Sequence, residues 1–157
     1  MQNRWMIGLF ALVACSGKGE DSAEQGSTLT HPFGGAWNGE VHGHTAWEAD
    51  WETAPYCSGS LFSSVDNDGV FSGSGGCTIL WGPAEGEEFE VDVTGDVAED
   101  GTFTLQANLS FETEERGWEQ ATIRGTAGET IQGEGNSLYY PSTGGSMEAF
   151  VAVDVSK

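Results

Sequence analysis

Two histidines, His42 and His44, stand two residues apart near the start of the apolar part of the chain. In a β-strand, residues i and i+2 project from the same face, so both imidazoles would share a face with Glu40, and Glu48 follows shortly after. Neutral imidazoles and carboxylates grouped in this way bind zinc, copper or nickel. The alternative is a solvated strand face beside a loop. We therefore treat His42 and His44 as candidate metal ligands and predict no other cofactor.

A second candidate site lies in the connector that follows, residues 45–55. Trp47 and Trp51 alternate there with acidic residues, among them Glu48 and Asp50. If the connector is a strand, its tryptophans cover the core. If it is a loop, they overhang the end of the fold, where exposed tryptophan stacks on sugars or apolar ligands. Long connectors on rigid scaffolds commonly hold binding sites, so we predict one here for a hydroxyl-rich or cationic partner.

Signals for common enzyme classes are missing. The sequence has no Gly-x-Ser-x-Gly elbow, no His-Glu-x-x-His zinc helix, no phosphate-binding loop and no dinucleotide fingerprint. Its 25 acidic residues could supply a glycosidase pair, but such a pair is defined by a separation in space. The net charge of -20 repels nucleic acid. We predict a non-enzyme that does not bind nucleic acid, with a surface hydrolase acting on glycans through paired carboxylates as the alternative.

The first fifteen residues have the parts of an export signal: a short basic start, an apolar run and a small residue at the cut. The run is too short to span a bilayer as a helix. Leu12-Val13-Ala14-Cys15 resembles the lipobox of bacterial lipoproteins at all four positions. The resemblance implies that the Cys15 thiol receives a diacylglyceryl group, that a peptidase cuts before it, and that the new amine is acylated.

This resemblance implies three regions. Residues 1–14 are a lipoprotein signal peptide, 15–30 are the lipidated cysteine and a disordered tether, and 31–157 are a single β-barrel domain. The tether is rich in Gly, Ser and acids and cannot bury enough surface to fold. In the lipoprotein family an Asp after the lipidated cysteine retains the protein in the inner membrane. Here that residue is Ser16, so we expect an outer-membrane protein whose first partner is the membrane, through the anchor at Cys15.

The folded region shows an all-β pattern with no helix longer than a turn or two. Residues 102–112 alternate apolar and polar side chains over their full length, and Asp100-Gly101 supplies the turn before them. We predict about eight strands in meander order, forming an antiparallel up-and-down barrel that leaves no exposed edges. A two-sheet β-sandwich has the same periodicity and is the alternative. The predicted strands are 36–43, 56–65, 70–81, 88–94, 102–112, 118–126, 130–137 and 147–155.

Cys57 and Cys77 remain as an even pair in a compartment that permits oxidation, which predicts a disulfide. The alternative, half of a zinc site, lacks further ligands at suitable spacing. A turn at residues 67–69 brings Cys57 opposite Ile79, two residues from Cys77. A bulge at residues 75–76 would correct that mismatch.

Gly35-Ala36-Trp37 is similar to the Gly-x-Trp element with which lipocalin barrels open, and the resemblance covers these three residues of one strand. We expect a non-catalytic, lipid-anchored barrel that binds a glycan, a small apolar ligand or a neighbouring envelope protein, with Trp37, Trp47 and Trp51 near one end. The alternatives are the glycan hydrolase and a purely structural lipoprotein.

Overall fold

The computed structural model describes residues 29–45, 56–82, 84–110, 117–141 and 144–157. The predicted signal peptide, Cys15, most of the predicted tether and the segment 46–55 lie outside these residues. The described residues contain nine strands and no helix. The strands are β1 (Gly35–Thr45), β2 (Cys57–Val65), β3 (Val70–Ile79), β4 (Glu88–Val97), β5 (Thr102–Ser110), β6 (Gly117–Trp118), β7 (Ala121–Thr126), β8 (Thr130–Tyr140) and β9 (Met147–Ser156).

Eight of these strands form a closed antiparallel ring. Strands β1 to β5 pair in sequence order, β5 pairs with β7, and β7 packs beside β8. Strand β8 pairs with β9, and β9 returns to β1, where Val41 faces Val153. The predicted up-and-down barrel is therefore confirmed, and the sandwich alternative is wrong. Closure leaves the ring without free edges, and the short β6 is an addition to it.

The barrel interior is filled by the apolar side chains that alternate along the strands. In β5, for example, Phe103, Leu105, Ala107 and Leu109 are buried while their neighbours face outward. Removal of this apolar surface from water is the main favourable contribution to folding, at about 25 cal/mol per Å². The largest fully buried side chains include Trp37, Phe71, Phe89, Leu61, Ile79, Leu105, Leu109, Ile123 and Ile131.

The strand predicted over residues 118–126 is two strands. Ala121 faces Ala107 of β5, whereas Gly117 faces Ser110, so the chain between them has one residue more than β5 over the same span. That extra residue is a bulge at Glu119–Gln120, and it reverses which side chains face inward. As a result Trp118 and Ala121 are both buried although they are an odd number of residues apart. The prediction of one continuous strand is corrected by this change of register.

The hairpin of β2 and β3 carries the predicted disulfide between Cys57 and Cys77. Cys57 faces Ile79, as predicted, and the same offset holds along the whole hairpin. The bulge predicted at residues 75–76 is therefore wrong. The two cysteines bond diagonally instead, with their Cα atoms 5.5 Å apart, because the twist of a strongly curved hairpin brings diagonal neighbours within reach.

At one end of the barrel the connections are short turns, at residues 66–69, 98–101 and 127–129. Backbone hydrogen bonds link neighbouring turns along this end. The Gly69 carbonyl accepts from the Val97 N–H at 2.8 Å, and the Gly101 carbonyl accepts from the Ala127 N–H at 2.7 Å. Both glycines have positive φ, as the predicted Asp-Gly turns require.

The segment before β1 lies across these turns. The Thr30 N–H donates to Asn67 Oδ1 at 2.9 Å, and the Trp37 indole N–H donates to the Phe33 carbonyl at 2.8 Å. The Phe33 ring packs against the core, and a Cβ at Gly101 would lie only 3.0 Å from its Cζ atom. We call this the capped end, defined by the three turns and residues 29–34.

Candidate functional site

At the opposite end of the barrel β1 ends at Thr45 and β2 begins at Cys57, and residues 80–82 and 84–87 lie between β3 and β4. The Trp-containing connector begins there, directly after Thr45. Trp37 lies at the other end of β1, buried beside the capped end, with Lys157 Nζ 5.1 Å from the centroid of its ring. Trp47 and Trp51 lie outside the described residues, so the expectation that they share one end of the barrel with Trp37 stays a prediction.

An aromatic cluster occupies this end of the barrel. Trp118 is at its centre, 4.6 Å from Phe89 and 4.7 Å from Tyr139 between ring centroids. Tyr56 lies 5.5 Å from Tyr139 and makes an edge contact with Trp81 at 4.9 Å. Such pairs contribute about 0.5–1.5 kcal/mol each beyond the area they bury. We call this the aromatic end, defined by Tyr56, Trp81, Phe89, Trp118 and Tyr139.

Two polar atoms at the aromatic end are buried without a hydrogen-bond partner. They are Nε1 of Trp118, whose side chain is 7% exposed, and Oγ1 of Thr45, which is fully buried. A buried donor without an acceptor costs about 1–3 kcal/mol. A group that offered an acceptor to the indole N–H would recover that energy.

Gly43 allows Trp118 to occupy this position. A Cβ at Gly43 would lie 2.8 Å from Cζ2 of Trp118 and 2.9 Å from Sγ of Cys57. The indole therefore rests on the backbone of β1 beside the disulfide. The bulge at Glu119–Gln120 turns Trp118 inward, and Gly43 provides the space.

The predicted histidine pair lies on the outer face of β1, as expected from its spacing. The ring centroids of His42 and His44 are 6.4 Å apart, and His42 Nε2 is 3.3 Å from Glu40 Oε2. Within the described ranges, no group of three or more His, Cys, Asp or Glu side chains is placed to hold a metal ion. Glu48 lies outside those ranges, so metal binding at this pair stays a prediction.

A groove of about 410 Å³ runs along the outer wall near the aromatic end. Leu138 of β8 faces Glu148 of β9, and Phe150 lies one outward position further along β9. The β6–β7 connection lies alongside, because the Glu119 N–H donates to the Leu138 carbonyl at 2.7 Å. We call this the β8–β9 groove; its lining is completed by Asn136, Ser137 and Ala149.

Glu119 is held in place at the edge of this groove. The hydroxyl of Tyr140 donates to Glu119 Oε1 at 2.6 Å. This hydrogen bond to the carboxylate is the main cause that raises the pKa of Tyr140 above its ordinary value of 10.0. The charged side chains among the described lining residues are the exposed carboxylates of Glu119 and Glu148.

The predicted binding residues Trp47, Glu48, Asp50 and Trp51 lie outside the described part of the chain. Trp118, Tyr139 and the groove residues were not predicted as a site. The sequence signal for Trp118 was a large aromatic residue directly before two polar residues that interrupt a strand. The groove combines three separate segments, and sequence spacing carries no signal for it.

Comparison of the chain with known protein families, curated proteins and solved structures finds no match. A search of the described residues for a helix long and apolar enough to cross a membrane also finds none.

Proposed function

We propose that this chain is a lipoprotein of the cell envelope, anchored at the outer membrane through lipid on Cys15, whose barrel binds a partner at its aromatic end without catalysing a reaction. The lipobox-like Leu12-Val13-Ala14-Cys15 supports the anchor. The tether behind it would hold the barrel on the order of 20 Å from the membrane surface.

The observation that carries the binding proposal is the buried, unpartnered indole nitrogen of Trp118 within the aromatic cluster. The cluster lies at the end of the barrel opposite the short turns, and the mouth of a β-barrel is a common place for a binding site. The opposite end is closed by turns that bond to one another. A partner would therefore be received at the aromatic end.

Electrostatics narrows the class of partner. With 25 acidic and 5 basic residues, the chain repels nucleic acid and other polyanions. Hydroxyl-rich or cationic groups are favoured as partners. A hydroxyl group can accept a hydrogen bond from the indole N–H, and a cationic group can pair with the carboxylates.

The test uses two matched tryptophan substitutions, each made in a full chain that also carries Cys15→Ser, so that lipid on Cys15 does not carry the protein into the sediment. Trp118→Phe removes the unpartnered N–H at the aromatic end, and Trp37→Phe removes a bonded N–H at the capped end. Sedimentation with an isolated envelope fraction of membranes and cell wall measures binding, and thermal unfolding measures stability. We expect Trp118→Phe to lose envelope binding. Trp37→Phe should lose more stability, because it leaves the Phe33 carbonyl unpartnered, and should still bind.

Two outcomes would contradict this proposal. Equal retention by both variants would show that Trp118 is a packing residue only. The second outcome uses a Cys15→Ser variant that is otherwise wild type, because this variant cannot partition into membranes through lipid. If it sediments with the envelope fraction no better than in buffer alone, the purely structural lipoprotein is favoured.

A second candidate is the glycan hydrolase, and the observation that favours it is that Glu119 and Glu148 line the same groove. Both side chains are exposed, whereas a glycosidase acid works from a site shielded from water. Release of reducing sugar ends from isolated cell-wall glycan, lost in Glu119→Gln and in Glu148→Gln, would establish this activity. We expect no release from the wild-type protein.

A further inference from the structure

The β8–β9 groove combines an apolar floor with acidic edges. Leu138 and Phe150 project outward from adjacent strands and are half-buried, while Glu119 and Glu148 beside them are exposed. The volume of about 410 Å³ falls in the range of pockets that take small ligands or short peptide segments.

The acidic edges are positioned on ordered structure. Glu119 is fixed by the Tyr140 hydroxyl at 2.6 Å and by its own backbone N–H bond to Leu138. Glu148 stands directly across from Leu138 in the β8–β9 ladder. A charged group that bridges the groove would therefore meet a carboxylate already held by a hydrogen bond.

The cations of the described chain lie elsewhere. Lys157 is over the Trp37 ring at the capped end, and Arg124 lies on β7 across from Thr104 of β5. Among the described residues that line the groove, none is basic, and two are carboxylates. The matching occupant has an apolar side chain next to a guanidinium or ammonium group, since long basic side chains also lay their methylene stems on apolar surface.

We propose that the β8–β9 groove binds a cationic, amphipathic peptide segment of an envelope protein, in which arginine or lysine alternates with apolar residues. This inference rests on the proposed partner-binding function and names the class of its partner. The apolar residues would contact Leu138 and Phe150, and the basic residues would pair with Glu119 and Glu148. An extended peptide presents alternate side chains to opposite sides, so its contacts with one groove recur at every second residue.

The test measures binding of a fluorescent, capped peptide of alternating leucine and arginine by anisotropy. A control peptide has the same sequence with every arginine replaced by glutamate. The full chain is compared with the double variant Glu119→Gln/Glu148→Gln, which removes two charges from the groove. We expect binding to weaken by about tenfold or more in the double variant, and the acidic peptide not to bind.

The control separates specific binding from general attraction to a protein of net charge -20. Glu88→Gln/Glu90→Gln removes the same charge from the outer face of β4, on the opposite side of the ring. We expect this variant to bind almost as tightly as the wild type. Equal weakening by both double variants would overturn the groove assignment, because only long-range attraction would then be acting.

A second pair of variants tests the apolar floor. Phe150→Ala removes an aromatic ring from the groove, whereas Phe62→Ala removes a ring that is 64% exposed on β2. Loss of peptide binding in Phe150→Ala alone supports the groove, and unchanged binding in both variants contradicts it.

The envelope sedimentation assay is run on the same proteins. Envelope binding that depends on Trp118, without peptide binding, would contradict the groove and leave the proposed function standing. Peptide binding without envelope binding would contradict the proposed function.

Discussion

Replacement of Gly101 by alanine tests whether the capped end is as tightly closed as its contacts indicate. Gly101 has a φ of +88°, and a Cβ there would lie 2.8 Å from the Ala127 carbonyl oxygen and 3.0 Å from Cζ of Phe33. Gly86 has almost the same φ, +86°, but a Cβ there meets nothing within 4 Å. The two substitutions share the backbone conformation and differ in the surrounding space.

The cost of the left-handed backbone and the cost of crowding can be separated, because only the second differs between the two positions. A left-handed backbone costs an L-residue about 1–2 kcal/mol, and the cost applies to Gly101→Ala and Gly86→Ala alike. The gain from a less flexible unfolded chain, about 0.4–1 kcal/mol, is also common to both. Crowding adds about 1–3 kcal/mol at Gly101 alone, because the Ala127 carbonyl belongs to the backbone and cannot rotate away. We therefore expect Gly101→Ala to be less stable than Gly86→Ala by about that amount.

The assay is urea unfolding followed by tryptophan fluorescence, with thermal unfolding as a second measurement. A difference of 1 kcal/mol corresponds to about 3–6 °C in melting temperature for a domain of this size. In a double-mutant cycle, Gly101→Ala should cost less in a Phe33→Ala background than in the wild type, because one of the two crowding groups is then absent. Equal stability of Gly101→Ala and Gly86→Ala would refute the view that the capped end is closely packed.

Three further predictions concern the anchor, the disulfide and Tyr140. Cys15→Ser should abolish incorporation of labelled fatty acid, and labelling equal to wild type would count against the anchor. Replacing Cys57 and Cys77 with alanine should lower the free energy of unfolding by about 3 kcal/mol, measured by urea unfolding, because the bond closes a loop with a sequence separation of 20. Ultraviolet difference titration against Tyr140→Phe should show Tyr140 ionising above pH 10.0. Glu119→Ala should bring that pKa back down, because its carboxylate favours the neutral phenol; an unchanged titration would contradict the hydrogen bond.

The strands and their pairing could be predicted from sequence because both depend on local patterns. A period of two in apolar residues indicates which side chains face inward, and the Asp-Gly dipeptides locate the turns. Counting outward from the turn at residues 67–69 was sufficient to place Cys57 opposite Ile79, as the structure has it. The closed barrel followed from the even number and the meander order of the strands.

The features that form the candidate site were not predictable in the same way. Two consecutive polar residues such as Glu119 and Gln120 occur in loops and turns as well as in bulges, and pairing of this segment with both β5 and β8 decides for a bulge. The direction of Trp118 depends on that bulge. The groove depends on ring closure, which brings the β6–β7 connection beside β8. None of these follows from spacing along the chain.

The position of the disulfide links stability to the candidate site. At the capped end, short turns hold the strand ends together. At the opposite end the bond between Cys57, the first residue of β2, and Cys77 links β2 to β3. Gly43 lies between the disulfide and Trp118, close enough that a Cβ would collide with both, so the indole packs against a covalently fixed surface. A rigid base allows an unpartnered indole donor to be held in place for a partner, because the energy needed to order it is spent in folding and not in binding. The disulfide therefore belongs to the proposed binding end as much as to the stability of the barrel.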